Sequence, residues 1–262
     1  MKVLIKIGGT LLDDSAMRNA IAAQIAAVKN CAVTVVHGGG KQMTRFIEER
    51  GVESTFVGGL RVTTPEIADA VLKVFAGSVN SLLVASLNGA GALAVGLTGI
   101  DAGVAVAEQL DPELGLVGRV VDTHTRLLDV LTGNNYLPVV ACVAGGAGGE
   151  VFNVNGDSMA VAVAAGWKVD RLIFLTDVAG VWDAQKQVIP VLTAARCRQL
   201  ITSGVAAGGM QAKLEAACEA VKNGVGEVRI VRGSDADIVT RLMAGESAGT
   251  RVIQGETGRE TE

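Results

Sequence analysis

The stretch VTVVHGGGK, residues 33–41, determines the fold class of this 262-residue chain. Its β-branched run is typical of a strand buried in a parallel sheet, and the glycine triplet that follows leads into a helical pattern. Glycines at such a junction let the backbone approach a ligand closely, and the first N–H groups of a helix favour an anion. A second stretch of this kind, IKIGG at residues 5–9, lies near the start of the chain.

The alternation of strand and helix continues outward from these two stretches. Strands are predicted at residues 3–7, 33–37, 92–97, 137–142, 172–176 and 228–231. Helices are predicted at residues 15–29, 42–50, 65–88, 158–167, 194–201 and 210–223. Repeated strand–helix–strand units imply right-handed crossovers, so we predict an α/β fold with a mainly parallel open sheet. Residues 102–122 alternate weakly and are predicted to form a hairpin outside that sheet, and the polar tail, residues 255–262, is predicted to fray.

The composition agrees with this fold and limits the function. Apolar residues make up 49% of the chain and aromatic residues only 3%, so the core must consist of Val, Ile, Leu and Ala, as in parallel sheets. A net charge of −4 without a basic run argues against a nucleic-acid partner. We find no apolar stretch long enough to span a bilayer, and Lys2 and Lys6 make the first apolar run unlike a signal peptide. These features predict a cytoplasmic protein without a membrane partner.

No metal site is predicted from the cysteines and histidines. The four cysteines are far apart in the sequence, form no CxxC motif and are accompanied by only two histidines. We therefore interpret them as reduced thiols that act as small apolar residues.

The predicted ligand site lies at the carboxyl edge of the sheet, because open parallel sheets bind ligands there. Glycine-rich or Asp/Gly turns follow four of the predicted strands. They are Gly8-Gly9, Gly38-Gly39-Gly40, the segment Gly145, Gly146, Gly148 and Gly149, and the pair Asp177 and Gly180.

Three charged side chains suggest what this site binds. Lys6 lies within an apolar strand, where an unpaired ammonium group is costly, so it needs an anion, which is either a bound ligand or a core carboxylate. Arg61 follows Gly58-Gly59-Leu60 on a predicted turn, and its planar guanidinium fits a carboxylate. Lys213 lies in a helix entered through Gly208-Gly209, although taken alone it is as compatible with an ordinary exposed charge.

The segment NVNGD, residues 153–157, precedes an Ala/Val-rich helix. Asn153 is suited to hydrogen-bond a substrate amide or carboxylate. Asp157 is suited to cap the helix and to orient nearby lysines, and the two roles are compatible. Together these groups suit phosphoryl transfer to a carboxylate, which needs no general base because the acceptor is already ionised at neutral pH. Catalysis then consists of positioning and cationic stabilisation.

Six motifs in this order resemble the amino-acid kinase family, and within it most closely the acetylglutamate kinases of arginine biosynthesis. The resemblance covers nearly the whole chain. The motifs are KIGG at residues 6–9, HGGG at 37–40, GLRVT at 59–63, NVNGD at 153–157, TDVAGV at 176–181 and GMQAK at 209–213.

The resemblance implies a three-layer αβα fold, with residues 1–170 as the N-terminal lobe for the acylamino acid and dimerisation, and residues 171–262 as the C-terminal lobe for ATP with Mg²⁺. It implies that Lys6 and Lys213 stabilise the transferring phosphoryl group, that Asp157 organises them, and that N-acetyl-L-glutamate is the substrate. The implied substrate contacts are Gly39, Gly40, Arg61 and Asn153. The implied nucleotide contacts are Gly8, Gly9, Asp177, Val178, Gly180, Val181, Trp182, Val205, Ala207 and Gly209.

The resemblance also suggests an oligomeric state. The predicted helix over residues 65–88 resembles the dimer interface of the family. The chain begins at its first strand, without the N-terminal helix of the arginine-inhibited hexameric members, so we expect a homodimer that is insensitive to arginine.

Three alternatives are weighed against this interpretation. The first is a kinase for another acylated acid, such as N-succinylglutamate or a carrier-bound aminoadipate. The second is a catalytically silent ligand-binding or regulatory subunit, although both Lys6 and Lys213 are retained. The third, dinucleotide-dependent oxidoreduction, is disfavoured because no GxGxxG opens the first helix.

Overall fold

A computed structural model describes residues 1–254, so the tail at 255–262 and its predicted fraying lie outside the described residues. The strands are β1 (Lys2–Ile7), β2 (Ala32–His37), β3 (Phe56–Val57), β4 (Leu60–Arg61), β5 (Ala94–Thr98), β6 (Val106–Gln109), β7 (Val117–Asp122), β8 (Leu137–Ala141), β9 (Val143–Gly145), β10 (Val151–Val154), β11 (Arg171–Thr176), β12 (Val191–Thr193), β13 (Glu227–Arg232) and β14 (Thr250–Ile253).

The helices alternate with these strands. They are α1 (Gly9–Asp13), α2 (Ser15–Ala26), α3 (Gly40–Glu48), α4 (Pro65–Val71), α5 (Asn80–Gly89), α6 (Arg126–Gly133), α7 (Gly156–Trp167), α8 (Ala194–Thr202), α9 (Gly208–Lys222) and α10 (Ile238–Met243). A π-helical turn, Leu72–Val79, joins α4 to α5, and short 3₁₀ turns occur at Asp101–Gly103 and Pro112–Leu114.

Eight strands form one sheet in the order β12-β14-β13-β11-β1-β2-β8-β5. All neighbouring strands are parallel except β13 and β14. Helices α6, α7 and α9 form one covering layer, and α2, α5 and α10 form the other. The prediction of a mainly parallel α/β sheet between helical layers is confirmed. Helices cover both faces of the sheet, and the fully buried positions of its central strands include Val3, Leu4, Ile5, Val35 and Val36.

The region between β5 and α7 contains a small separate barrel of β10, β7, β6 and β9. The predicted hairpin over residues 102–122 supplies the antiparallel pair β6 and β7, so its place outside the main sheet is confirmed. Strands β9 and β10 are only three and four residues long, which is too short for a clear alternating pattern, and neither was predicted. This barrel packs beside the amino end of α7 and brings Asn153, on β10, to the edge of the sheet.

The segment Pro65–Gly89 forms a continuous 25-residue helix whose length and composition would allow it to cross a membrane. The expectation that no apolar stretch reaches that length is therefore wrong. Val71, Val74, Leu83 and Leu87 on this helix are buried in the protein core. A core helix passes the same length and composition test, and this burial pattern is that of a core helix.

Candidate active site

Lys6 lies at the centre of the sheet, on β1, and its side chain is only 10% exposed. Its Nζ lies 2.6 Å from Oδ1 of Asp157, and Nζ of Lys213 lies 2.9 Å from Oδ2 of the same carboxylate. The three charged groups come from β1, the first turn of α7 and the second turn of α9. The structure therefore brings together the three residues for which the sequence analysis predicts catalytic roles.

Asp157 is free to hold both lysines because it does not cap α7. Asn155 is the N-cap, and its Oδ1 accepts hydrogen bonds from the N–H groups of Asp157 at 2.9 Å and Ser158 at 3.2 Å. The prediction that Asp157 caps the helix is thus wrong. Gly156 makes room for Lys6, because a Cβ at this position would lie 3.2 Å from Cε of the lysine.

The electrostatic state of Asp157 follows from two opposing effects. Burial alone would raise the pKa of its carboxyl group, but the charges and hydrogen bonds of Lys6 and Lys213 outweigh burial, and the pKa falls below its ordinary value. The carboxylate therefore stays ionised at neutral pH and holds two ammonium groups close together. The cluster keeps a net charge of +1, which suits a site for anions.

Two cavities meet at Lys6. One has a volume of about 350 Å³ and lies on the side of α9 and β11. The other has a volume of about 220 Å³ and lies on the side of α3, β4 and β10. Lys6 and Gly9 line both cavities. A group bound in one cavity can therefore face a group bound in the other across the Lys6 ammonium.

The smaller cavity contains all four residues for which the sequence predicts substrate contacts, namely Gly39, Gly40, Arg61 and Asn153. The larger cavity, which we call the nucleotide cavity below, contains half of the predicted nucleotide contacts. Those are Gly8, Gly9, Asp177, Val178 and Gly209.

The other predicted nucleotide contacts do not line the nucleotide cavity. Val181 is fully buried, and its N–H donates to Oγ1 of Thr250 at 2.8 Å. Trp182 is 44% exposed and pairs with Val188 in an isolated bridge, while Val205 is 39% exposed. Gly180 and Ala207 do not line this cavity either.

Arg61 is buried, with 9% of its surface exposed, yet no carboxylate of the described residues lies within 4.0 Å of its guanidinium. Hydroxyl groups hold it instead: it donates to Oγ of Ser54 at 2.5 Å and to Oγ1 of Thr44 at 2.6 Å. The guanidinium also stacks over the ring of Phe56, with Cζ 4.5 Å from the ring centre. A buried cation without a counter-ion beside a cavity indicates an anionic ligand.

Asn153 is fixed on β10 by a hydrogen bond from its Nδ2 to Oγ1 of Thr63, 3.0 Å away. The Thr63 hydroxyl in turn donates to the backbone carbonyl of Arg61 at 3.0 Å. The amide oxygen of Asn153 is left to accept from a ligand. Thr63 thus ties the backbone of Arg61 to the carboxamide of Asn153, and both residues line the smaller cavity.

The glycine turns of β1 and β2 pack directly against each other. A Cβ at Gly9 would lie 3.0 Å from the Gly40 nitrogen, so any larger residue would separate the two turns. A Cβ at Gly39 would lie 2.9 Å from the ring of Phe75. Within the described part of the chain, no hydrogen-bond acceptor is present for the N–H groups of Gly9, Gly39 and Gly40, which are therefore free to bind an anion.

One glycine segment that was predicted to contribute does not. Gly145, Gly146, Gly148 and Gly149 form the turn between β9 and β10, where they approach Ile100 and the side chain of Glu150. They line neither cavity at Lys6. The prediction is wrong because the chain leaves the sheet after β8 to build the small barrel.

The residues that hold the charged groups in place were not predicted from the sequence. Ser54 and Thr44 support Arg61, and Asn155 caps α7. Only Asn155 had a usable signal, since asparagine two residues before an acidic first turn is a common N-cap pattern. The hydroxyl partners of Arg61 come from separate elements, and spacing in the sequence does not reveal such contacts.

The chain is similar to known proteins over most of its length. The sequence pattern of the Amino acid kinase family matches residues 1–232. An acetylglutamate kinase from Solibacter usitatus is 60% identical over 255 residues, covering 97% of this chain and 99% of that protein. An acetylglutamate kinase from Agrobacterium fabrum is 39% identical over 266 residues, covering 96% and 90%. Among solved structures, a carbamate kinase from Giardia lamblia bound to AMP-PNP has a TM-score of 0.72 at 18% identity, covering 97% of this chain and 98% of that one.

Proposed function

This chain belongs to the amino acid kinase family, and on that premise we propose that it transfers the γ-phosphoryl group of ATP to the side-chain carboxylate of N-acetyl-L-glutamate. The family resemblance of the six sequence motifs is confirmed by the match over residues 1–232. The relative that is 60% identical is named for this activity. The reaction would form an acyl phosphate, as the second step of arginine biosynthesis.

One observation in the structure carries the proposal: the Lys6–Asp157–Lys213 cluster lies where two cavities meet. An acceptor carboxylate and a triphosphate repel each other, and charge spreads over the phosphoryl group as it moves between them. Two ammonium groups held by one carboxylate reduce this repulsion and stabilise the transferring group. Lys6 faces both cavities, so it suits contact with the phosphoryl group before and after transfer.

The smaller cavity supplies the recognition of an acylated amino acid. The guanidinium of Arg61, which has no carboxylate partner among residues 1–254, fits the free α-carboxylate of the substrate. Asn153 lines the same cavity, and its amide oxygen suits the N–H of the acylated nitrogen. The free N–H groups of Gly39 and Gly40 suit the reacting side-chain carboxylate.

ATP belongs in the nucleotide cavity, with its phosphates over the turn at Gly8 and Gly9 and near Lys213. Asp177, Val178 and Gly209 line the same cavity. For Gly180, Val181, Trp182, Val205 and Ala207 the nucleotide contact stays a prediction. We propose that the nucleotide carries Mg²⁺ on its phosphates, because Mg²⁺ is commonly bound through substrate phosphates together with few protein ligands.

The division into two lobes follows from how the cavities are built. All residues of the smaller cavity come from positions 6–156, whereas the nucleotide cavity combines positions 6–11 with 175–213. This supports residues 1–170 as the acylamino-acid lobe and residues 171–262 as the ATP lobe. We further propose a cytoplasmic homodimer with its interface on the helix Pro65–Gly89, where Leu82 is 51% exposed.

The first test is a coupled ADP-release assay with MgATP and N-acetyl-L-glutamate, run beside N-succinyl-L-glutamate, L-glutamate and L-aspartate. We expect turnover on N-acetyl-L-glutamate, and a loss of more than a thousandfold in kcat for Lys6→Ala and Lys213→Ala. Lys222→Ala is the matched control, because Lys222 lies exposed on the same helix as Lys213.

Each other outcome has a definite meaning. Turnover only on another acid would retain phosphoryl transfer and correct the substrate. Turnover that survives both lysine substitutions would contradict the mechanism. An inactive wild-type protein that still binds ATP would favour a silent binding subunit instead of a kinase.

A further inference from the structure

His37 is a fully buried residue at the end of β2, directly before the glycine triplet. Both of its ring nitrogens have partners: Nδ1 lies 2.9 Å from the carbonyl oxygen of Gly38, and Nε2 lies 2.9 Å from Nδ2 of Asn80. A carbonyl only accepts hydrogen bonds and an amide NH₂ only donates them. The ring is therefore neutral, with its proton on Nδ1 and its lone pair on Nε2.

The orientation of the Asn80 amide is fixed independently of the histidine. Its Nδ2 also lies 2.9 Å from the carbonyl oxygen of Val139 and 3.4 Å from that of Leu97. Because both partners are acceptors, the nitrogen and not the oxygen must occupy this position. Asn80 thereby links three adjacent strands, β2, β8 and β5.

Two unusual local features make room for this amide. Asn80 is the first residue of α5, directly after the π-helical turn, and π-helical turns often occur at functional sites. On the facing strand, a Cβ at Gly96 would lie 2.1 Å from Oδ1 of Asn80, so only glycine leaves enough space. This buried polar network joins groups from four elements, and each group would be costly if it lacked a partner. We therefore expect the network to have a role beyond packing.

The network acts on the peptide between Gly38 and Gly39. No cis peptide bond occurs in the described residues, so the Gly39 N–H points opposite to the Gly38 carbonyl that His37 holds. Gly39 lines the smaller cavity together with Arg61 and Asn153, and within residues 1–254 its N–H has no acceptor. Phe75 and Val79 lie close to Gly39, because a Cβ at this position would come within 2.9 Å of Phe75 and 3.1 Å of Val79.

We propose that His37, with its ring oriented by Asn80, is a positioning residue that holds the Gly38–Gly39 peptide so that the Gly39 N–H donates a hydrogen bond to the reacting carboxylate. This inference rests on the proposed function, because it assigns the N–H to the acceptor of that reaction. A donor fixed in advance stabilises developing charge without reorganisation during the reaction. Burial supports the assignment: it lowers the pKa of His37 to about 4, against a smaller opposing effect of the Gly38 hydrogen bond, so the ring stays neutral at physiological pH.

Two substitutions of His37 separate its two hydrogen bonds. In His37→Asn, Nδ2 occupies the place of the ring Nδ1 and can still donate to the Gly38 carbonyl. In His37→Gln, Oε1 occupies the place of Nε2, so the partner of Asn80 is kept and the donor to Gly38 is lost. His124→Gln is the control, since His124 is an exposed histidine whose side chain lies outside both cavities.

We expect His37→Asn to retain kcat within about fivefold, and His37→Gln to lose about a hundredfold in kcat with KM for ATP changed less than twofold. A general structural defect would lower kcat in both variants alike. It would also change their thermal unfolding, which is measured as a control. Equal kcat values for the two variants, or a loss confined to KM for ATP, would overturn the inference.

A second measurement needs no variant of the network. The chain has only two histidines, so ¹⁵N spectra of the wild type and of His124→Gln identify the His37 ring directly. We expect one neutral tautomer at pH 7.5, with the proton on Nδ1. A proton on Nε2, or a charged ring, would overturn the inference even if the enzyme turns over. Absence of turnover on every acid would instead overturn the proposed function, and this inference with it.

Discussion

Two clusters in this molecule place one carboxylate among several cations, and they differ in what surrounds them. Asp157 holds Lys6 and Lys213 at the carboxyl edge of the sheet, between two cavities. Glu227 lies at the start of β13 and contacts three arginines: Arg171, Arg229 at 3.5 Å and Arg251 at 2.6 Å. The first cluster adjoins open space and glycine turns, while the second is embedded in paired strands.

The strand register explains the difference. Arg171 lies directly opposite Glu227 across β11 and β13, and Arg229 lies opposite Arg251 across β13 and β14. Arg171 also donates to the backbone carbonyl of Leu242 at 2.7 Å, which ties α10 to the sheet. These arginines are fixed by the backbone, whereas the two lysines of the other cluster reach Asp157 from separate elements. The Glu227 cluster therefore contributes to stability, and we propose that the Asp157 cluster, at the opposite edge of the sheet, serves catalysis.

The strongest test of this contrast is Asp157→Asn. Without the carboxylate the two buried ammonium groups repel each other, and their arrangement around the phosphoryl group is lost. We expect kcat to fall at least a hundredfold while the protein remains folded, as measured by the ADP-release assay and by circular dichroism. Retained activity would mean that Asp157 does not organise the lysines.

Glu227→Gln should lower stability and leave activity nearly unchanged, which is the opposite of the result expected for Asp157→Asn. Three arginines would lose their shared counter-ion, and breaking such a pair costs about 3 kcal/mol in the free energy of unfolding, measured by urea titration. We expect kcat at 25 °C to change less than twofold, with Glu219→Gln as an exposed control. A large loss of activity without loss of stability would contradict the structural assignment of this cluster.

Mild acid leaves the carboxylates of both clusters ionised, so a change in stability under these conditions must come from another group. The pKa values of Asp157 and Glu227 are lowered by their cationic partners despite burial, so their contributions to stability are lost only as pH falls below about 4. His37 titrates earlier: its pKa is 6.5 in the unfolded chain and about 4 in the folded one. The unfolded state therefore binds more protons than the folded state between these values, so stability decreases as the pH is lowered through this range.

We expect wild-type stability to fall by about 2 kcal/mol between pH 7.5 and pH 5.0 from this group alone. Urea titrations at the two pH values measure the change. His37→Asn should lose this component and show a flatter dependence on pH, whereas an equal dependence in both proteins would contradict a neutral buried His37.

The smallest expected effect concerns recognition at the edge of the first cluster. Arg61→Lys retains a positive charge but loses the planar fork and its stacking on Phe56. We expect KM for the acylated amino acid to rise about tenfold, with kcat and KM for ATP nearly unchanged, in steady-state assays. If KM for ATP changed instead, Arg61 would act on the nucleotide, which contradicts its assignment to the smaller cavity.

The sequence was informative where local rules act alone. The β-branched runs predicted the central strands to within two residues, and the rule for parallel sheets brought Lys6, Gly39 and Asp177 to one edge. It was uninformative where a contact depends on elements distant in the chain. The cluster at Glu227, the hydroxyl partners of Arg61 and the link from Asn80 to His37 all require the register of the sheet. The turn at residues 145–149 misled the prediction because glycines there serve a tight connection in the small barrel.

The π-helical turn Leu72–Val79 imposes a constraint on chain length within this helix. Each residue of an α-helix turns by about 100°, so deleting one residue from the turn would rotate Asn80 away from β2 and β8 while leaving α4 in place. Substitutions that keep apolar character are tolerable on this helix, but insertions and deletions between Thr64 and Asn80 are not. Natural variation in this stretch should therefore consist of exchanges at constant length.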